Sequence, residues 1–264
     1  MFITTAHTDT AAFDRGHAAR ARPQKTLHRD DSAQHASELV VATLKLLGEQ
    51  LHPVRRVVHA GEVLYRSGDA FTHLHVLNSG FFKQVKLTAD GREQVLSLKF
   101  RGDWLGFDGI ANGRCACNAV AMDTGEVWSV PYDQLLASCA ALPALLAAVH
   151  EAMSREMACD RNALMSVCTL PADARVADFL HHWADSLARR GLRNDQISLR
   201  MTRAEIGNHL GMTLESVSRA LSRLARMGAI EFAEKARREI RIPDVAALAD
   251  FVQLCLAPPK PTLQ

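Results

Sequence analysis

No stretch of this chain approaches the roughly 18 to 20 consecutive apolar residues that a membrane-spanning helix requires, although hydrophobic residues make up 48% of its 264 positions. The first residues, MFITTAHTDTAAFDRGHAARAR, have no apolar segment behind a basic start, and they mix arginines with acids. Neither a secretory signal nor a transit peptide fits that pattern, so a cytoplasmic protein with no membrane partner is expected. Cysteine is scarce: the six residues 115, 117, 139, 159, 168 and 255 are too few for a disulfide scaffold in a chain of this length. They read mainly as small buried hydrophobes kept as thiols. A Ser-His-Asp arrangement, a P-loop and paired CxxC motifs are also missing, so an enzyme is not expected.

Net charge is only +2, which says nothing about partners until its distribution is read. Residues 188 to 241 hold twelve Lys or Arg against six acids, leaving the rest slightly acidic. A basic segment on a near-neutral chain is an electrostatic footprint for a polyanion, although a solvated helical face has the same composition.

The chain divides by pattern into an α+β protein. Residues 1–36 have neither a 2.0 nor a 3.6 period and read as a disordered arm. Within 37–135, short apolar or alternating runs (VLY, HLHVLNSG, FFKQVKLT, EQVLSLKF, NAVAM, GEVWSVP) are separated by glycines. That spacing predicts a β-roll of about eight antiparallel strands with no long helix inside it. Residues 136–168 turn helical, with Leu145, Val149, Met153, Met157 and Leu164 forming a long apolar stripe. A two-fold helix pair would bury the stripe; packing against the roll is the alternative. Asp160 lies close to this seam, where two copies would repel. Residues 169–248 form a DNA-binding domain that opens on an amphipathic helix, Asp173–Arg190, closed by Gly191. Residues 249–264 read as a tail.

The segment LRMTRAEIGNHLGMTLESVSRALSRLARMGAIEF carries the function. Thr202 and Glu205 have capping-box spacing, Gly211 supplies a tight turn, and Thr213 caps a second helix running to about Met227. Ala204, Ile206, Leu210, Met212, Val217, Ala220, Leu221 and Leu224 are placed to bury together, and AIEFAEKARREIRI reads as a wing. This is a winged helix-turn-helix, whose second helix enters the major groove of double-stranded DNA. Arg219 can donate two hydrogen bonds to guanine, Glu215 can accept from cytosine, and Ser218 can reach a base edge or a phosphate. An intrahelical Glu215–Arg219 ion pair is the plainer alternative. Thr202, Arg203, Thr213 and Arg223 are candidates for phosphate contacts.

With these residues in view, the chain resembles the Crp/Fnr family over nearly all of residues 37 to 245. The Fnr branch carries a GD-x-x-GFD segment like Gly102-Asp103-Trp104-Leu105-Gly106-Phe107-Asp108, and an E-x-x-S-R recognition helix like Glu215, Ser218 and Arg219. The resemblance implies a cyclic-nucleotide-binding-like jelly roll, a long dimerisation helix and a winged helix-turn-helix. It also implies a homodimer that reads a palindrome such as TTGAT-N4-ATCAA and contacts RNA polymerase, usually to activate genes of low-oxygen or nitrogen-oxide metabolism.

The sensory half departs from the family's two best-known patterns. No cysteine precedes Cys115, and Trp128 stands at the fourth ligand position of an iron-sulfur member, so no [4Fe-4S] cluster is expected. Where cyclic-AMP-binding members hold Gly-Glu and Arg-Ser pairs, this chain has Gly106-Phe107 and Cys115-Ala116. The guanidinium and hydroxyl are missing, and that nucleotide is not expected. Candidate replacements are thiol oxidation at Cys115, Cys117 and Cys159, a haem with a histidine axial ligand, or regulation without a ligand. A competing class comes from Gly68-x4-His73-x-His75, which puts two imidazoles on one strand face as in metal-binding cupin enzymes. The carboxylate and third histidine of such a site are not evident, and no metal site is assigned.

Overall fold

The computed structural model describes residues 27–88, 91–233 and 238–256. Helix α1 (Leu27–Leu51) leads into a roll of eight strands: β1 (Val54–Val58), β2 (Val63–Tyr65), β3 (His73–Ser79), β4 (Phe82–Leu87), β5 (Glu93–Lys99), β6 (Trp104–Leu105), β7 (Asn118–Ala121) and β8 (Gly125–Pro131). Two antiparallel four-stranded sheets, ordered β1-β8-β3-β6 and β2-β7-β4-β5, face each other. Their non-sequential order is that of a jelly roll, and among the described residues the only helical piece within it is a 3-10 turn at Phe107–Gly109. Alternation along the strands separates two faces: β3 turns Leu74 and Val76, each almost fully buried, toward Leu44 and Leu47 of α1, and Leu77 into the roll with Tyr65 and Val127.

Two boundaries read from the sequence move. The 1–36 arm is too long, because α1 begins at Leu27; residues 1–26 lie outside the described part. Leu44, Leu47 and Leu51 of α1 are buried against Trp104 and Trp128, so the segment gains its order from the roll. At the other end the supposed tail 249–264 contains most of helix α7 (Val245–Leu256), which buries Leu248 and Val252; residues 257–264 are outside the described part.

The single helix expected over 136–168 is two. Helix α2 (Tyr132–Ala141) stops before Leu142, and α3 (Pro143–Thr169) starts with proline in its first turn, where the missing N–H costs no hydrogen bond. Its 27 residues span roughly 40 Å. Leu145 and Val149 do not lie on an open seam, because both are buried in the protomer beside Leu44, Leu47 and Leu135. The exposed apolar residues are Leu146, Met157, Leu164 and Met165, with Asp160 also exposed and Met153 half-buried.

The DNA-binding half comprises α4 (Ala172–Ala188), β9 (Gln196–Ser198), α5 (Arg203–Leu210), α6 (Leu214–Arg226), β10 (Glu231–Phe232), β11 (Glu239–Arg241) and α7. Helix α4 ends a few residues before Gly191, whose φ of +68° suits a residue without Cβ. Trp183 of α4 ties the halves together, meeting Phe100 edge-on at 5.7 Å and Phe81 at 6.1 Å, so one apolar core runs from Val85 and Val95 of the roll to Leu224 of α6.

Candidate nucleic-acid interface

Local chemistry fixes both helices of the reading unit. The Thr202 side chain accepts the Glu205 N–H at 3.2 Å, while the Glu205 carboxylate accepts the Thr202 N–H at 2.7 Å, a complete capping box. Helix α5 ends at Gly211, whose φ of +64° is left-handed. A Cβ on the nearby Gly207 would meet the Met212 carbonyl oxygen at 2.6 Å, so the close return of the chain needs glycine there. Thr213 then caps α6 by accepting the Ser216 N–H at 3.2 Å. Ile206, Leu210, Val217, Ala220, Leu221 and Leu224 are buried as expected and Met212 is half-buried, but Ala204 is exposed.

The opposite side of α6 is the candidate interface. Glu215 and Arg219 are exposed and Ser218 half-exposed, one helical turn holding the first two on a common face. No contact within 4 Å joins Glu215 to Arg219 among the described ion pairs. Arg219 instead donates a long 3.5 Å hydrogen bond to Ser216 Oγ. The Glu215 carboxyl is held below its ordinary range by its own backbone N–H, then by the Thr213 hydroxyl and the Arg219 charge. It is therefore an acceptor at neutral pH. Ser218, Arg219, Ser222, Arg223 and Arg226 line a shallow concavity on this surface. Ser222 and Arg226 belong to it although the sequence reading did not single them out; their spacing from Arg219 by three and seven residues was the available sign.

The four candidate phosphate contacts are placed differently. Thr202 and Thr213 are exposed at helix N-termini, but each hydroxyl is engaged in its cap. Arg203 is half-exposed beside the wing, its guanidinium 6.0 Å from the Phe232 ring. Arg223 is drawn to Asp173 of α4, which raises its pKa and turns the guanidinium partly back to the protein. The wing is a three-stranded sheet ordered β10-β11-β9, and its tip at 234–237 lies outside the described part.

A second group of residues, not anticipated, joins the reading unit to the sensor. Strand β5 is a sheet edge, and the Asn208 carboxamide of α5 pairs with it: Oδ1 accepts the Val95 N–H at 2.6 Å and Nδ2 donates to the Glu93 carbonyl. Gln94 donates to the Asn208 carbonyl at 2.6 Å, and Lys83 forms an ion pair with Glu205. Burial opposes the Glu205 charge, but hydrogen bonds from Lys83 and Thr202 prevail and hold its pKa below the ordinary range. Glu205 therefore serves the cap and the domain contact together. The partners are separated by more than 110 positions, so no local pattern could reveal them.

Inside the roll, Tyr65, Leu105, Cys115 and Cys117 are packed in one buried cluster. Asp108 lies against it, its carboxylate accepting the Ala116 N–H at 2.8 Å and the Cys117 thiol at 3.3 Å. Burial pushes the Cys117 thiol up to about 12, with Asp108 adding to the shift, and Cys115 moves in the same direction for the same reasons. Neither is a ready thiolate. Cys159 is exposed on α3, with its pKa raised by local burial of the sulfur. His73 and His75 stack at 6.2 Å, but His75 bonds Ser129 at 2.8 Å and burial lowers its pKa to about 4. Among the described residues, no group of three or more His, Cys, Asp or Glu is placed to hold a metal. The six thiols do not gather either, so their placement does not fit a four-cysteine cluster.

A sheet-edged sensor roll, a long exposed helix and a capped, basic winged helix-turn-helix define a class: a DNA-binding regulator with an N-terminal sensory domain. Comparison with known proteins agrees. The cyclic nucleotide-binding domain matches residues 55–141 and the Crp-like helix-turn-helix domain matches residues 174–251. The anaerobic regulatory protein of Pasteurella multocida is 32% identical over 197 residues, covering 75% of this chain and 71% of the relative. The fumarate and nitrate reduction regulatory protein of Yersinia pestis is 31% identical over 209 residues, covering 79% and 81%. FixK2 from Bradyrhizobium japonicum shares the fold with a TM-score of 0.66 and 24% identity, covering 75% of this chain and 96% of that one. The chain belongs to the Crp/Fnr family of transcription regulators. It is a DNA-binding regulator and not an enzyme, which disposes of the cupin-enzyme alternative. No helix among the described residues is long and apolar enough to cross a membrane.

Proposed function

We propose that this regulator acts in the cytoplasm as a homodimer and reads an Fnr-type palindrome of the form TTGAT-N4-ATCAA through α6. The observation that carries the reading is the exposed face with Glu215, Ser218 and Arg219, on a helix whose start is fixed by Thr213. Arg219 donates to guanine, Glu215 accepts from cytosine, and Ser218 contacts a base edge or phosphate. Thr202, Arg203, Thr213 and Arg223 flank the phosphates. For Thr202 and Thr213 the hydroxyls are spent on capping, so the phosphate meets backbone N–H groups at the helix start; Arg223 must share its charge with Asp173.

Dimerisation runs along α3 through Met153, Met157, Asp160 and Leu164, which follow the alternating three-four spacing of a helix-pair seam. Leu145 and Val149 support the same helix from inside the protomer. The target genes are those of low-oxygen or nitrogen-oxide metabolism, as the names of the relatives imply, with RNA polymerase as the protein partner and activation as the output. Neither a four-cysteine cluster nor cyclic AMP is the effector. The carboxylate of Asp108 and the packed thiols occupy the part of the roll where Cys115 and Ala116 replace the phosphate-binding pair. Haem remains a testable cofactor, and the absorbance of protein reconstituted with it decides the matter. The test of the main reading is a titration at fixed salt on the palindrome and on a duplex with the G·C pair of each half-site changed. Preference of at least about tenfold for the palindrome is expected; equal binding to both overturns the assignment.

A further inference from the structure

Away from the roll interior, a cavity of about 800 Å³ opens between the two halves, within the size range of small-molecule sites. Its walls come from α1 and β5 on the sensor side, from α3, and from α4, α7 and the end of α5 on the DNA-binding side. The lining is mainly apolar, with Val40, Leu98, Phe100, Trp104, Met165 and Phe179 among it. Two residues of that lining carry a covered polar atom. Trp104 Nε1 and Ser166 Oγ are buried without a hydrogen-bond partner among the described residues, and both side chains line the cavity. Trp104 is 2% exposed and Ser166 8%. A buried N–H left unpaired costs on the order of 1–3 kcal/mol, so such a pair asks for an acceptor that the protein does not supply.

The charges define what the acceptor belongs to. Each of the four cations at the wall is already matched: Lys99 with Glu156 at 2.6 Å, Arg190 with Asp103 at 2.6 Å, Arg189 with Asp185 at 2.6 Å, and Arg155 with Glu151. Asp160 and Asp178 add further negative charge at the rim. An anion has no free cation to meet, and a bare cation offers nothing to the indole N–H. We infer that the cavity is an effector site for an uncharged, mainly apolar small molecule bearing a carbonyl-type acceptor, held by Trp104 and Ser166. Because Leu210 of the helix-turn-helix core and His209 form part of its wall, a molecule seated there acts on the contact between α5 and β5 and so on the placement of α6. This step rests on the DNA-binding reading; occupancy of the cavity does not.

The test uses Prodan, a neutral naphthalene ketone whose emission reports apolar surroundings and hydrogen bonding at its carbonyl, excited directly in solutions of the full-length protein. Expected are a saturable blue shift with one site per chain, and weakening of about fivefold in each of Trp104→Phe and Ser166→Ala. Filling the space with Ala163→Phe should abolish binding while the circular-dichroism spectrum and melting temperature stay near those of the parent. Saturating Prodan should also change palindrome affinity by about fivefold or more. No saturable shift, or a shift that survives Ala163→Phe and Trp104→Phe, overturns the site; the second result would place the dye on the dimer seam. Binding at the cavity with unchanged DNA affinity overturns its role as an effector site and leaves DNA recognition by α6 untouched.

Discussion

Glu215 and Arg219 stand in water on α6, whereas Tyr65, His75, Cys115 and Cys117 lie within the β-roll with their polar atoms desolvated or bonded to neighbours. The same physics acts on both groups. On α6 the charged forms cost nothing and remain available to a partner; in the roll, burial suppresses them, raising the thiols and lowering the imidazole. Of the two regions, α6 is the one whose ionised side chains are open to a partner. The roll interior is packed and carries the Asp108 carboxylate.

The largest expected effect tests the roll. With its pKa near 12 instead of 9, Cys117 holds about a thousandfold less thiolate than an ordinary cysteine. Alkylation with iodoacetamide followed by peptide mass mapping should label the exposed Cys159 and Cys168 long before Cys115 and Cys117. Early labelling of Cys117 would show the interior to be more open than described.

Acid stability comes next. The folded pKa of His75 lies near 4 and its unfolded value near 6.5, so between them the unfolded chain binds more protons. The contribution of this group is full above pH 6.5, falls as pH drops towards 4, and changes no further below that. Its loss is at most about 3 kcal/mol. Denaturant midpoints of the parent should therefore fall more steeply over that window than those of His75→Gln, which retains a hydrogen-bonding side chain for Ser129. Parallel slopes would remove His75 from the account.

On the interface side, Arg219→Ala should cost about 1–3 kcal/mol on the palindrome and much less on unrelated duplex, read by titration at one salt concentration. An equal loss on both would make Arg219 a phosphate contact. Between the two regions, Asn208→Ala leaves the Val95 N–H and Glu93 carbonyl on the edge of β5 without their partners, a cost of about 1–2 kcal/mol in unfolding experiments. Smallest is Thr213→Ala, which removes the α6 cap and should cost about 1 kcal/mol, with Thr213→Ser restoring most of it.

Much of this architecture was legible because its causes are local. The eight strands followed from alternating runs between glycines, and the reading unit from Thr202, Glu205, Gly211 and Thr213, whose hydrogen bonds close within three or four residues. Reading failed where the partner is distant. Leu145 and Val149 looked like seam residues because an apolar stripe does not say what covers it, and α1 answers that from about a hundred positions away. Ala204 looked buried because alanine is apolar, yet its side of α5 meets no neighbour that buries it.

By itself the sequence determined the order of roll, helix and winged reading unit, the absence of any cysteine before Cys115, and the polar face of α6 that carries Glu215, Ser218 and Arg219. These depend on periodicity, capping and side-chain chemistry, all encoded within a few positions. Only the tertiary structure decided that Asn208 closes the edge of β5, that Glu205 serves Lys83 as well as its own helix, and that Trp104 and Ser166, each with an unmet hydrogen bond, line one cavity. Each of these depends on groups far apart in the chain meeting in a desolvated place, where a missing partner costs free energy and a present one fixes the geometry.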